Sequence, residues 1–202
     1  MSEVMTPGFA DPPLEAQAMF RLVLDAMARP GRIKTVAQAN GQAPSGSPGG
    51  LHHAAFVLAL TLMDFETPLW LDDALKDDRA VVEALRFHCG CPLIDDPRRA
   101  NFAMIGDASK APPLSVFHQG TPEYPDRSTT VLIQVQDLSN AGDVRLTGPG
   151  VKTEMALHAD GLSTDFWRQW SANNRQYPLG VDLILTAGDR IAALPRSIRA
   201  EV

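Results

Sequence analysis

The chain has 202 residues, 45% hydrophobic, 21% charged and 6% aromatic, which is the composition of a globular protein and excludes a disordered or fibrous one. A chain this long buries roughly 70% of the surface its unfolded form exposes, so a core forms without help from disulfide or metal. Eighteen Lys and Arg against 24 Asp and Glu give a net charge of −6 and a pI near 5.3, which argues against non-specific binding to nucleic acid or to an anionic membrane.

The first element is announced by Asp11-Pro12-Pro13, a capping side chain followed by residues tolerated in a first turn. Met19, Leu22, Val23, Ala26 and Met27 then fall on one helical stripe, and Pro30-Gly31 ends it. A short strand is expected around Arg32–Val36. Asn40–Gly50, rich in Gly, Pro, Ser and Asn, reads as a loop. Leu51–Met63 predicts a buried, nearly all-apolar helix, and Pro68–Leu71 a brief strand. Asp77 or Asp78 should cap a helix carrying Val81, Val82, Leu85 and Phe87, ending near Gly90-Cys91-Pro92. Asn101–Ile105 reads as a strand and Ala111–Asp126 as a proline-rich loop with a short helix. Thr130–Gln136 is a β-branched strand, Ser139-Asn140-Ala141-Gly142 a turn, and Val144–Thr147 the strand that returns. Ser163 caps a helix over Thr164–Asn173, with Phe166, Trp167 and Trp170 as packing residues. Asp182–Thr186 is a buried strand, and Ile191–Leu194 pairs back on it across Ala187-Gly188-Asp189. Helices interleaved with strands, with hairpins in the last third, predict an α/β fold with a mixed sheet in a single domain, 1–202.

Met1–Pro13 lacks the basic start and apolar run of a secretory leader, and the longest apolar stretch, Ala54–Met63, is about half a bilayer span. A cytoplasmic protein with reduced thiols is therefore expected. Cys89 and Cys91 are the two cysteines, and a disulfide across one intervening residue would be strained. With His88 they make only a fragment of a tetrahedral metal site, and two cysteines do not hold an iron–sulfur cluster.

Other constellations are equally partial. His52-His53 opens an apolar helix, where either ring can cap or face solvent. Lys34, Lys76, Lys110 and Lys152 are the candidates for a Schiff base, and none has a signature for it. The aspartates between Asp64 and Asp96 fall at helix starts and turns, where they read as caps. Leu146-Thr147-Gly148-Pro149-Gly150-Val151-Lys152-Thr153 is the nearest approach to a phosphate loop, and backbone amides in such a turn can form an anion nest. It fails the P-loop spacing and the dinucleotide fingerprint. Fourteen of the 18 cations are arginine, whose planar fork suits oxyanions. These features single out an oxyanion loop at Arg145, Thr147, Gly148 and Gly150, with Arg29, Gly31 and Arg196 beside rigid turns. No catalytic residue and no metal ligand is assigned.

Several blocks in order resemble the PhnH family of bacterial carbon–phosphorus lyase subunits. They are Ala16–Arg21 with Ala26-Met27-Ala28-Arg29-Pro30-Gly31, then Thr67–Leu71, Leu85–His88, Thr130–Val135 and Arg145–Gly150. Tyr177–Thr186 and Ala193-Leu194-Pro195-Arg196 complete the series. The loop at 40–50 and the cysteine pair match no block. The resemblance implies a three-layer αβα sandwich similar to pyridoxal-phosphate-dependent transferases but without the cofactor. It implies a homodimer that assembles with the G, I and J subunits of the lyase core complex. That machinery converts ATP and an alkylphosphonate to a ribose 1-phosphonate 5-triphosphate. Three readings follow: a subunit with no chemistry of its own, a subunit lending groups to a shared nucleotide or phosphonate site, and a free-standing small-molecule-binding protein or degenerate transferase.

Overall fold

A computed structural model describes residues 6–36 and 46–202. Asp11 caps the first helix, α1 (Pro12–Ala28), by accepting from the Leu14 amide. Met19, Val23 and Ala26 are buried along its predicted stripe, and Gly31, at φ 76°, turns the chain away. The strand after it, β1, is Lys34–Thr35. Most of the predicted loop at 40–50 lies outside the described residues. The apolar helix α2 (His53–Leu62) has six consecutive buried residues from Ala54 to Ala59. A helix apolar on every side needs neighbours on every side. It has them: α2 packs against α1 and over strand β8.

Next come β2 (Leu69–Leu71), the short α3 (Asp73–Lys76) and α4 (Arg79–His88), with Asp72 and Asp78 as their caps. Strands β3 (Leu93–Ile94) and β4 (Phe102–Ile105) follow, then a run of single-turn helices that leads to β5 (Thr130–Gln134). Strands β6 (Leu138–Thr147) and β7 (Met155–Ala159) precede α5 (Thr164–Asn174), which Ser163 caps. The chain ends in β8 (Asp182–Ala187), β9 (Arg190–Leu194) and β10 (Arg199–Glu201).

Seven strands form a mixed sheet in the order β1-β9-β8-β5-β4-β2-β3. From β8 to β3 the pairings are parallel, with Thr130 opposite Asp182 and Gln134 opposite Thr186, while β9 returns antiparallel on β8. One face carries a core from α1, α2 and α4. On the opposite face α5 packs beside a three-stranded antiparallel sheet, β10-β6-β7. Trp170 lies fully buried in that second core and donates its indole N–H to the Ile198 carbonyl. The layer expected to be helical thus holds one long helix and a small sheet. Among the described residues no helix is long and apolar enough to cross a membrane.

Two sequence expectations are corrected. Ser139–Gly142 is not a turn but part of the long strand β6, where the register slips between Ser139 and Val144. Val144–Thr147 does not return on β5; it pairs with β7 and β10 in the other sheet. A bulge admits polar, Gly-containing sequence into a strand, which is how the segment imitates a turn. Strands β3 and β7 and the helix α3 carried no readable signal. Phe87, grouped with the apolar residues of α4, is 70% exposed.

The end of α5 is tied to β8 by one amide. Buried Asn173 accepts from the Val181 amide at 2.8 Å and donates to the Val181 carbonyl at 3.0 Å. Its removal orphans two buried backbone groups. Asn173→Ala should lower the unfolding free energy by about 3 kcal/mol in urea denaturation followed by circular dichroism.

Candidate functional site

Parallel strands present their carboxyl ends on one edge, where the loops that follow them can enclose a ligand. Here the loop after β4, Gly106 to Ser109, faces the residues after β5, Val135 and Gln136. Asp160 and Gly161, just past β7, close a third side, and His52 at the start of α2 closes the fourth. Together they line a cleft of about 340 Å3. A neighbouring opening of about 510 Å3 lies beyond Lys110 and is lined by Trp70, Asp72, Asp73 and Asp77. Its Asp72 carboxylate is committed to structure, since it caps α3 and accepts from the Gly106 amide at 2.8 Å.

Gln134, buried at the last position of β5, organises the cleft floor. Its Oε1 accepts from the His52 amide, and its Nε2 donates to the Gly50 carbonyl at 3.0 Å and the Gly106 carbonyl at 3.4 Å. One side chain thereby joins the segment entering α2 to the ends of β4 and β5. The α2 start is fixed a second time by the Ala54 amide, which donates to Gly188 in the β8–β9 turn.

The His52 ring is held by the same arrangement. Its Nδ1 lies 3.1 Å from the Thr186 carbonyl oxygen, which only accepts, and 3.5 Å from the Thr186 hydroxyl, so the shorter contact assigns the proton to Nδ1. Burial pushes the imidazole below its ordinary pKa, against the opposing effect of that hydrogen bond. The neutral ring therefore presents Nε2 as an acceptor. That atom has no partner among the described residues, and His52 is one of the residues that line the cleft. Asp107 is occupied: it caps a short turn, accepts from the Ser109 hydroxyl at 2.6 Å and pairs with Lys110 at 3.1 Å. Those hydrogen bonds, from Ser109 first and then Lys110, hold its carboxyl below the usual range. The Asp160 carboxylate has no partner among the described residues.

The residues singled out from sequence lie elsewhere, and most of them meet at one junction. Gly150, at φ 85°, passes so close to the end of α1 that a Cβ there would sit 2.3 Å from the Ala28 carbonyl oxygen. A Cβ on Gly31 would sit 2.5 Å from Leu146. Gly148 lies against Ser197 and Ile198, with Thr147 preceding it at the end of β6. The three cations are all paired. Arg29 pairs with Asp25, Arg145 with Glu154 at 2.9 Å, and Arg196 forks onto Asp182 while reaching the Pro125 carbonyl. None of the seven lines the cleft. Of the cleft residues, only His52 stood out in sequence. Gln134 and Thr186 sit inside apolar strand runs, and Asp160 follows a strand that sequence did not show.

Cys89 and Cys91 are free and buried at the end of α4. The Cys91 side chain beside it, with burial behind, raises the Cys89 thiol. No group of three or more metal-ligating side chains occurs among the described residues.

Two outcomes follow from the cleft floor. Gln134→Leu leaves the His52 amide and the Gly50 carbonyl against an apolar group and should cost about 2 kcal/mol of stability in urea titration. His52 should titrate below its ordinary value of about 6.5 in an NMR pH series. Because folding favours its neutral form, its contribution is complete above about pH 6.5 and is lost as pH falls through the folded-state pKa. His52→Gln should therefore flatten the acid limb of the stability profile.

The family model described as bacterial phosphonate metabolism protein (PhnH) matches residues 7–201. A Rhizobium meliloti (strain 1021) protein named alpha-D-ribose 1-methylphosphonate 5-triphosphate synthase subunit PhnH is 36% identical over 200 residues, covering 99% of this chain and 97% of its own. HtxG of Stutzerimonas stutzeri is 41% identical over 78 residues, 39% of this chain and 40% of its own. With nearly its whole length matched on both counts, the chain belongs to the PhnH family of bacterial phosphonate metabolism proteins.

Proposed function

We propose that the chain is a subunit of the multi-protein enzyme that forms a ribose 1-phosphonate 5-triphosphate from ATP and an alkylphosphonate. The observation that carries this reading is its full-length similarity to a relative named as a subunit of such a synthase. The name is that of one part of an assembly, so the chain acts with sister subunits, which the family resemblance identifies as G, I and J. Self-association as a homodimer, and kinship of the sheet with pyridoxal-phosphate-dependent transferases, belong to the same proposal.

Exposed apolar side chains support an assembling role. Leu14, Phe20 and Leu24 are each 46% or more exposed on α1, opposite its buried stripe, and Phe65 and Phe87 are at least 70% exposed. An α-helix apolar on two opposite faces has more such surface than one core uses.

The test is reconstitution. Co-expressed with the G, I and J subunits, the tagged chain should carry them through affinity and size-exclusion steps in fixed stoichiometry. Leaving it out should reduce synthesis of the triphosphate product at least tenfold. A chain that elutes alone, with turnover unchanged in its absence, overturns the reading.

A further inference from the structure

We propose that the cleft at the carboxyl ends of β4 and β5 binds an uncharged, hydroxyl-rich ring of the pentose or nucleoside class, with His52 Nε2 and the Asp160 carboxylate accepting hydrogen bonds from its hydroxyls. This goes beyond membership of an assembly, because it assigns the chain a ligand site of its own.

The chemistry of the lining selects the class. At about 340 Å3 the cleft lies in the lower range of small-molecule sites. Its polar lining side chains are His52, Asp107, Ser109, Gln134, Gln136 and Asp160, with neither Lys nor Arg among them. A phosphate or phosphonate group would meet the unpaired Asp160 with no facing cation, a repulsive arrangement. A sugar hydroxyl donates where these groups accept. Of the acceptors, Asp107 already serves Ser109 and Lys110, and Gln134 serves the chain segments around it. His52 Nε2, the Asp160 carboxylate and the Gln136 amide oxygen remain free for a ligand.

The acceptor on His52 is fixed by structure. A ring free to rotate would offer either nitrogen, whereas the Thr186 carbonyl commits Nδ1 to donation. The ring is also seated twice over through its backbone, by Gln134 on the amide and by the first turn of α2 on the carbonyl. Such pre-organisation lowers the ordering cost of binding. Gln136, exposed beside the cleft and without a side-chain partner among the described residues, supplies an amide that both donates and accepts.

The full-length chain, titrated calorimetrically, distinguishes the outcomes. Adenosine should bind, and inorganic phosphate and methylphosphonate should neither bind in the cleft nor displace it. 2′,3′-Dideoxyadenosine, with the same base and no ring hydroxyls, should bind about tenfold more weakly or not at all. Asp160→Ala and His52→Phe should each weaken adenosine about tenfold. Both variants should fold, since the Asp160 side chain holds nothing in place and the Thr186 carbonyl keeps its bond from Val135; circular dichroism checks this. Glu66→Ala, outside the cleft, should change nothing. Equal binding of adenosine and its dideoxy analogue, displacement by phosphate, or no binding of adenosine overturns the proposal. Each of these results is compatible with successful assembly of the subunits, so the two readings fail separately.

Discussion

Strands β4, β5 and β8 lie at the middle of the sheet and have no face that water wets. Ala103, Ile105, Val131, Ile133, Leu183 and Leu185 point into one core, and Met104, Leu132 and Ile184 into the other. A parallel sheet buried on both sides requires two covering layers. One layer is supplied by α1, α2 and α4. The other cannot be built from crossover helices alone, because the connection from β4 to β5 contains only single-turn helices. The small sheet fills that deficit. Its inward residues, Leu138, Val144, Leu146 and Leu157, join Trp167 and Trp170 of α5 in the second core.

Attaching a second sheet creates a seam, and the seam explains the glycines. The end of α1, the turn at Gly148–Gly150 and the segment after β9 converge there. The Gly31 amide donates to the Ala193 carbonyl, and Asn140 of β6 donates to the Gly31 carbonyl at 2.8 Å. Backbone packs on backbone at this point, which side chains would obstruct. Blocks recognisable as PhnH-like in the sequence, Arg29-Pro30-Gly31, Leu146–Gly150 and Ala193–Arg196, are therefore neighbours in space. Their shared property is close approach, and that property is as visible in sequence as an anion nest would be. A Gly-rich turn after a strand reads alike in both cases, and only the Ala28 carbonyl facing Gly150 distinguishes them.

What sequence revealed follows from how local each signal is. Helices α1, α4 and α5 carry their own caps and stripes, and β5 and β8 are unbroken apolar runs; all were legible. Strand β6 was not, because its slipped register places polar residues and a glycine within a paired strand. Strand β7, with two buried residues among five, has too short an apolar pattern to stand out. The cations misled for a related reason. Arg145 finds Glu154 across a strand pair and Arg196 finds Asp182 across fourteen residues, so these two cations are absorbed by partners that folding brings near. Conversely, the cleft is assembled from four short segments far apart in the chain, with nothing periodic to read.

The contrast between the two arginine pairs and the cleft also bears on where chemistry can occur. Arg196 and Asp182 are only 12% and 16% exposed, and the guanidinium makes further contacts to the Pro125 and Pro178 carbonyls. Removing one partner of such a pair strands a desolvated charge, which makes it a fixed part of the frame. Arg145 and Glu154 are both more than half exposed, and their pairing is weak in water. Neither situation leaves an acceptor or donor without a partner. The cleft does: His52 is half-buried, neutral and committed through one nitrogen only. With the unpaired Asp160 carboxylate and the unpartnered Gln136 amide, that open valence marks the position where a bound molecule adds hydrogen bonds without breaking any.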